Sequence, residues 1–307
     1  MSSDRRLTAL LLVVAWSLGC GDLVIDVSDE EKDNVAVYVE AGGAGGAPPD
    51  REPIQDLSEV TRLEHLAWDA VLKRFNEDGD VQYAAFWASP DHRELLESYL
   101  DTLAEVDPLL LESESERLAF WINAYNALVF RGVVEGLTQD PGFRVDEGDF
   151  AFFKVERYVV GGEVYSLDAL EHGVIRGDRA HASVSGLSDE AWIPFAERHA
   201  SLFPDGVVDP RIHVGLNCAA RSCPPLPSYA FTGPELDAQL TERAARFVQD
   251  PERGAGPEGI SMLFNWFSAD FSAVHGSPRG FVESYRDDVG DVDFDRFLPY
   301  DWALNGP

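Results

Sequence analysis

The chain has 307 residues and a formal net charge of −31 at pH 7, because 55 Asp and Glu residues outnumber 24 Lys and Arg residues. Binding to DNA or RNA needs clustered Lys and Arg that contact phosphates, so this balance excludes nucleic acid as an expected partner. The acidic residues are scattered along the chain, which is typical of a well-solvated surface. The composition therefore indicates a soluble, acidic surface and does not point to a particular reaction.

The first nineteen residues have the pattern of an export signal peptide. Arg5 and Arg6 supply its positive start, and residues 7–16 form an apolar run that is too short to span a bilayer. The segment SLGC at 17–20 resembles a bacterial lipoprotein cleavage site, after which Cys20 carries the lipid. A simple secretory peptide is the alternative. We expect a protein of the bacterial cell envelope that is anchored to a membrane through Cys20 and faces the periplasm or the exterior.

Residues 20–52 are predicted to combine the lipidated Cys20 with a flexible linker. Gly, Ala and Pro fill positions 41–49, and a segment of this composition cannot bury a core. The remaining residues, 53–307, contain neither a second linker nor an internal repeat. We expect them to form a single globular domain.

Hydrophobic periodicity predicts helices more often than strands along this domain. The predicted helices cover 57–75, 91–103, 113–136, 166–175, a short stretch within 178–208, 232–249 and 281–285. The predicted strands cover 81–85, a hairpin within 150–165, 209–217 and 259–264. Since the strands do not alternate regularly with the helices, we expect the α+β class, with a helix-rich single domain packed around a small, mainly antiparallel sheet.

The segment 209–217 alternates like a strand with one apolar and one polar face. Its apolar positions are 212, 214 and 216, whereas Arg211, His213 and Asn217 fall on the opposite side. A guanidinium, an imidazole and a carboxamide together are typical of a functional site. Extending the alternation puts Cys218 in the core, where it is expected to be inert, and leaves Cys223 in a proline-stiffened loop near His213 and Asn217. A Cys218–Cys223 disulfide is the alternative.

Two further groups of polar residues lie on predicted helices. Asn123 and Asn126 sit one turn apart beside the apolar stripe of 113–136, so they either hold neighbouring backbone or face a cleft. Asp168, His172 and Arg176 share one face of 166–175, which fits a surface row and a functional row equally. The other histidines are expected at the surface: His65, His92, His181, His199 and His275.

Six segments together resemble the domain of unknown function 547 family. They are FWINAYNA at 120–127, EHGVIR at 171–176, DPRIH at 209–213, LNC at 216–218, SCPP at 222–225 and YDW at 300–302. The resemblance runs from about residue 58 to residue 305. It implies domain boundaries and candidate residues, and it implies no particular reaction. From its position, YDW is expected only to pack the C-terminus onto the core.

A cysteine-dependent hydrolase or acyl transferase is the leading hypothesis for these residues. Cys223 is the predicted nucleophile, with His213 or His172 as the base that lowers its pKa. Asn123 or Asn126 would donate to an oxyanion or orient the imidazole. The residues predicted to bind a peptide or amide substrate are Arg176, Arg211, Asn217 and Asp209. The hypothesis needs no cofactor.

Two alternatives to catalysis by a thiol remain open. The first is a non-catalytic lipoprotein in which Arg176 and Arg211 clamp the carboxylate or phosphate of a small ligand or protein partner. The second is a zinc site formed by His172, His213 and Cys223 with either Asp209 or Cys218, although no pair among them has a familiar ligand spacing.

Overall fold

The computed structural model describes residues 60–307 and the backbone of two short strands further upstream. These strands, β1 (Leu11–Ala15) and β2 (Val37–Ala41), pair in parallel. Cys20 and most of the predicted signal peptide and linker lie outside the described residues. Among the residues that are described, no helix combines the length and the apolar character needed to cross a bilayer.

Helices form most of the regular structure between residues 60 and 307. The α-helices are α1 (Leu66–Phe75), α2 (Tyr83–Trp87), α3 (Pro90–Glu105), α4 (Glu114–Gln139), α5 (Glu147–Lys154), α6 (Asp189–Leu202), α7 (Ile212–Gly215), α8 (Leu236–Gln249), α9 (Leu263–Trp266), α10 (Ser268–His275) and α11 (Pro278–Tyr285). A 3₁₀ turn covers Pro108–Leu110, and a π-helical segment covers Ala169–Ile175.

The strands in this part of the chain form separate antiparallel pairs. They are β3 (Asn76–Glu77) with β4 (Asp80–Val81), β5 (Tyr158–Val160) with β6 (Glu163–Tyr165), and β7 (Ala255–Gly256) with β8 (Gly259–Ile260). Many helices with small antiparallel pairs confirm the predicted α+β class. The helices, more than the strands, build the core.

Helix α4 is the centre of the larger hydrophobic core. The Ser113 hydroxyl caps it by accepting from the Glu116 N–H at 3.1 Å. Side chains are buried on every face of its middle part, as expected for a helix with neighbours all around it. Those neighbours are α2, α3, α6, α8 and the π-helical segment.

A smaller hydrophobic cluster joins the C-terminal helices to this core. Phe247, Phe264, Phe271 and Phe281 form its centre, from α8, α9, α10 and α11. Helix α7 lies at the boundary, because Ile212 packs in the larger cluster and Val214 in the smaller one. A single helical turn therefore carries residues that are buried in two different directions.

The predicted strand at 209–217 is wrong. The Ile212 N–H donates to the carbonyl of Asp209 at 3.1 Å, and the Gly215 N–H donates to that of Arg211 at 3.2 Å, so the chain turns instead of extending. Every residue from 212 to 217 is buried. The alternation of apolar and polar residues therefore does not separate core from solvent, and parity along a strand does not apply to this segment.

Three other predicted elements differ from the observed ones. The first helix begins at Leu66, nine residues later than expected. The hairpin is confined to β5 and β6, because α5 occupies the start of the predicted range. Only Gly259–Ile260 is extended in the predicted strand 259–264, and α9 follows it. In each case the packing around the segment overrides its local propensity.

The C-terminal segment returns along the loop that follows α7. The Arg221 N–H donates to the carbonyl of Ala303 at 2.7 Å, and the Asn305 N–H donates to that of Ala219 at 2.9 Å. The Val81 N–H donates to the carbonyl of Asn305 at 3.0 Å, which fastens the same end to β4. Residues at the very end of the chain thereby hold the loop that contains both Cys218 and Cys223.

His65 is fully buried, contrary to the expected surface position. Its Nδ1 shares a hydrogen bond of 2.6 Å with the Tyr99 hydroxyl. Burial lowers the pKa of His65 from 6.5 to about 3, because the protonated imidazole would lose its hydration. The folded protein therefore holds His65 neutral in a pH range where the unfolded chain binds a proton.

We predict that His65→Gln weakens the pH dependence of stability. Stabilisation by neutral His65 is complete above pH 6.5 and is lost as the pH falls toward 3, since only the unfolded state gains the proton. Urea unfolding at pH 7.5 and 5.5 measures the effect. Between these pH values the wild type should lose about 1.4 kcal/mol more free energy of unfolding than the variant. Equal losses in both proteins would contradict the assignment.

Candidate functional site

Two free thiols face each other in the loop after α7. The Sγ atoms of Cys218 and Cys223 lie 2.9 Å apart. Cys223 is only 5% exposed, whereas Cys218 is half-buried. The two sulfurs are therefore unequal in their access to solvent.

Asn217 closes the loop that brings these thiols together. Its side-chain amide accepts a hydrogen bond from the Ala219 N–H at 3.0 Å and donates to the carbonyl of Pro224 at 2.8 Å. Ala219, between the cysteines, has a φ of 62°, a left-handed conformation that a non-glycine residue adopts only where its surroundings impose it. The predicted substrate-binding residue Asn217 thus has a structural task, and its amide is occupied by backbone.

The two thiols are pushed in opposite directions of acidity. The hydrogen bond with Cys223, followed by that with the Tyr300 hydroxyl, lowers the pKa of Cys218. Burial raises the pKa of Cys223. Two contacts oppose this rise, the Cys218 N–H that donates to the Cys223 sulfur at 3.0 Å and the Tyr300 hydroxyl, but burial outweighs them. Of the two thiols, the more exposed one, Cys218, is therefore the more acidic.

Tyr300 is the third residue of the cluster that contains the two thiols. Its hydroxyl lies 3.3 Å from the Cys218 sulfur. Burial raises the pKa of Tyr300, so the hydroxyl keeps its proton and donates to that sulfur. A donor at this position stabilises a thiolate, which is the reactive form of cysteine. Tyr300 therefore does more than pack the C-terminus.

The structure exchanges the expected surroundings of the two cysteines. Cys218, expected in the core, is the thiol with the lowered pKa and the greater exposure, and Cys223, expected in an open loop, is the buried thiol with the raised pKa. The strand parity does not place them correctly, because the preceding segment is a helical turn. The role of Cys223 as nucleophile stays a prediction.

His213 forms a second chemical group with Asp270. Its Nε2 donates to the Asp270 carboxylate at 2.9 Å, and its ring stacks on Phe267 with centroids 4.0 Å apart. Burial lowers the pKa of His213 despite the nearby carboxylate, so the imidazole is neutral. Its Nδ1 is buried and has no hydrogen-bond partner among residues 60–307. Asp270 thus orients a neutral imidazole whose other nitrogen is free to accept a proton.

Arg176 connects this pair to His172. It donates to the Asp270 carboxylate at 2.8 Å and to His172 Nδ1 at 2.9 Å. Burial alone would raise the pKa of Asp270, yet hydrogen bonds from His213 and Arg176 lower it well below its usual range. Burial, followed by the charges of His181 and Arg176, lowers the pKa of His172 to about 3. Asp270 is the anion at the centre of this network.

His172 lies in the π-helical segment and stacks on His181, with ring centroids 3.6 Å apart. His181 is therefore not the plain surface residue that was expected. Single-turn π-helices occur often at functional positions, because they turn a side chain out of the regular helical series. Here His172 also lies beside Arg176, four residues on.

The two sets of residues, one around the thiols and one around His213 and Asp270, are neighbours without a direct hydrogen bond. Within the described part of the chain, neither cysteine sulfur bonds to a histidine nitrogen. The carboxylate of Glu171 acts electrostatically on Cys218, Tyr125 and His213, so it lies close to both groups. The predicted Cys–His pair is therefore not formed, although its members belong to the same region.

The predicted catalytic residues Asn123 and Asn126 hold backbone. The Asn123 amide donates to the carbonyl of Phe231 at 2.7 Å and accepts from its N–H at 3.0 Å. The Asn126 amide donates to the carbonyl of Gly215 at 2.9 Å and accepts from the Asn217 N–H at 2.8 Å. Both side chains are buried. Each amide is thus engaged by backbone on both its nitrogen and its oxygen, and a role toward an oxyanion or an imidazole stays a prediction.

Arg211 and Asp209 lie away from His213. Asp209 accepts a bidentate contact from Arg211, whose guanidinium also donates to the Asp237 carboxylate at 2.8 Å. Together they line a groove of about 420 Å³ between α4, α6 and α8. Arg176 is paired with Asp270, and the two arginines share no partner. Carboxylates of the chain itself therefore pair with both guanidinium groups, and the anion clamp stays a prediction.

The zinc alternative finds no matching geometry. Across residues 60–307, no three His, Cys, Asp or Glu side chains converge in a way that would hold a metal ion. His172 and His213 are each engaged by Arg176 or Asp270, and Cys223 by Cys218. The ligand set proposed from the sequence is thus divided among separate contacts.

Two important residues were missed as members of the site. Tyr300 belonged to one of the six segments that carried the resemblance, and that signal was available. Asp270 is the only charged residue between positions 259 and 274, and a lone carboxylate in an otherwise uncharged stretch is a candidate site residue. Its pairing with His213, 57 positions away, depends on the packing of α10 against α7 and was not readable from spacing.

We predict that Asn126→Ala lowers the free energy of unfolding by about 2–4 kcal/mol, since two buried backbone groups lose their partner. Urea unfolding at constant pH measures it. Gln139→Ala, at an exposed position of the same helix, is the control and should change stability by less than about 0.5 kcal/mol. If Asn126→Ala were as stable as the control, the hydrogen bonds of Asn126 to the backbone would not contribute to the free energy of unfolding as proposed.

Comparison with known proteins supports the resemblance over part of the chain. No curated protein matches the chain, and no solved structure does. Asp270 and Tyr300 lie outside the matched range, as do the outer parts of the resemblance at about 58–109 and 249–305. Residues 110–248, which include α4, the π-helical segment, α7 and both loop cysteines, match the family described as "Protein of unknown function, DUF547".

Proposed function

We propose that this protein is a dithiol enzyme that exchanges electrons with disulfides, with Cys218 as the attacking thiol and Cys223 as the resolving thiol. One observation carries the proposal: two free sulfurs lie 2.9 Å apart and differ in both exposure and acidity. A thiol–disulfide exchange enzyme needs an accessible thiolate and a second thiol that can reach the same sulfur.

The reaction begins when the Cys218 thiolate attacks one sulfur of a substrate disulfide. A mixed disulfide forms on Cys218, and the other substrate sulfur leaves as a thiolate that takes up a proton. The Cys223 thiol then loses its proton and attacks the Cys218 sulfur, which releases the second substrate thiolate. The Cys218–Cys223 pair has given two electrons to the substrate and is oxidised to a disulfide. Oxidised protein and a dithiol substrate run the same steps in reverse.

The surroundings suit each step of this exchange. Tyr300 donates to the Cys218 sulfur and so favours its thiolate before attack. When a mixed disulfide removes that charge, the Cys223 thiol no longer has a thiolate to donate to. Its pKa, which the neighbouring Cys218 charge also raises, then falls and its attack becomes easier.

A Cys–His hydrolase or acyl transferase acting on a peptide or amide is the second candidate, with the nucleophile moved from Cys223 to Cys218. Its support is the His213–Asp270 pair, in which one imidazole nitrogen is held by a carboxylate and the buried Nδ1 has no partner among the described residues. This is how a general base is oriented in enzymes that transfer acyl groups.

We predict that Cys218→Ser lowers the rate of thiol–disulfide exchange by at least about 100-fold, because serine is not a comparable nucleophile. Cys223→Ser should still attack and accumulate a mixed disulfide on Cys218. Prereduced protein is mixed with a peptide that carries a disulfide-linked fluorophore and quencher, and both single-turnover fluorescence and intact mass are recorded. His213→Gln should stay within about threefold of wild type in this assay.

Other outcomes of this experiment reject the assignment. Exchange that survives in Cys218→Ser, or a mixed disulfide that forms on Cys223, would reverse the order of the thiols. Failure of the reduced wild type to attack the disulfide would remove the proposal altogether. Turnover of amide or thioester substrates that requires both Cys218 and His213 would establish the second candidate in its place.

The proposed location is the bacterial cell envelope, with a lipid anchor at Cys20. The support is the signal-like sequence at 1–20 and the Gly-rich stretch after it. Membrane fractionation of cells that express the Cys20→Ser variant tests it. We expect the wild type in the membrane fraction and the variant in the soluble fraction, and equal distribution of both would contradict the anchor.

A further inference from the structure

Three aromatic residues lie side by side next to the Cys218 thiol. Trp266, Tyr300 and Trp302, here called the aromatic platform, have ring centroids 4.5–5.9 Å apart. Trp302 is supported from behind by Phe150, with centroids 4.8 Å apart. The contacts among the rings restrict their motion, so the platform is held in place before any ligand arrives.

Trp266 is the outer face of the platform. It ends α9 and is 43% exposed, while the next residue, Phe267, turns inward and stacks on His213. An exposed tryptophan leaves apolar surface in water that burial would favour. Tryptophan is also the residue type most enriched among those that dominate binding, because it offers a large, rigid surface. Its exposure beside ordered rings indicates a binding surface.

Tyr300 links this surface to the reactive sulfur. One side of its ring packs against Trp266 and Trp302, and its hydroxyl reaches the Cys218 sulfur at 3.3 Å. Only the Tyr300 ring separates the Cys218 sulfur from Trp266. When a substrate disulfide contacts Cys218, the substrate residues on either side of that disulfide therefore come close to Trp266. The residue that neighbours the substrate cysteine is the part placed on the platform.

Charge restricts the kind of chain that fits there. The platform rings are uncharged. Asp301, between Tyr300 and Trp302 in the chain, is exposed and pairs with Arg221 at 3.4 Å, and the whole chain carries a net charge of −31. An acidic segment would be repelled, and a neutral or basic one would not. We propose that the aromatic platform binds an apolar side chain next to the disulfide-bonded cysteine of a neutral or basic polypeptide, an inference that rests on the proposed dithiol function.

Two matched peptides test this specificity. Each carries a central cysteine in mixed disulfide with thionitrobenzoate and a lysine at each end. In one peptide leucine and phenylalanine flank the cysteine, and in the other glycine and serine do. Reduced wild type, in excess over peptide, should react with the apolar peptide with a roughly tenfold larger second-order rate constant, the discrimination that one or two buried apolar groups provide. Trp266→Ala should reduce this preference to about one, measured as the ratio of the two rate constants within the same variant.

Trp87→Ala is the control for loss of an exposed tryptophan. Trp87 is 48% exposed on α2 and contacts Arg93 instead of the platform, so this variant should keep the full preference. Near-ultraviolet circular dichroism verifies that each variant is folded. A wild type that reacts with neither peptide would show that the dithiol function is wrong.

Three results would overturn the platform inference while leaving the dithiol function in place. Both peptides could react equally fast with the wild type, or Trp266→Ala could retain the preference. The third is that the wild type shows no peptide preference and chitotriose quenches its tryptophan fluorescence, with no quenching in Trp266→Ala. That result would assign the platform to a carbohydrate.

Discussion

The side-chain amide of Asn126 fixes the backbone between His213 and Cys218, and both chemical groups of the site depend on it. By bonding to Gly215 on one side and Asn217 on the other, it holds the end of α7 and the start of the thiol loop against α4. Replacing one rigid clamp by free backbone would uncouple the imidazole from the thiols. A buried amide with every bond satisfied is well suited to this task, because any shift would leave polar groups without partners.

Burial then divides the titratable groups into different roles. Inside the site, His213 and His172 are kept neutral, and Asp270 is kept ionised by the donors around it. The two thiols separate in acidity because one is closed off and the other lies beside a hydroxyl donor. Similar side chains acquire distinct chemistry from their surroundings, which is the usual way in which a fold creates a reactive residue.

Sequence reasoning succeeded where local pattern and long apolar periodicity agree. The helix around 113–136 and the α+β class followed from such patterns and are present. It failed at 209–217, because this segment is buried from two sides and its alternation no longer separates core from solvent. That failure spread to the cysteines, whose roles had been assigned from the same alternation. Asn123 and Asn126 were located correctly beside the core, and of the two roles that the sequence left open the structure shows the bonds to neighbouring backbone.

The amino-acid sequence by itself identified the segments that hold the candidate site residues. They are the loop with Cys218 and Cys223, the predicted helix 166–175 with His172, and the YDW segment near the C-terminus. Composition and motif are local properties, so they can be read without knowing the fold. Tertiary structure decided which thiol is the more exposed, that Asp270 faces His213, and that Tyr300 reaches Cys218 from 82 positions away. These outcomes depend on burial and on contacts between distant segments, which arise only when the helices pack together.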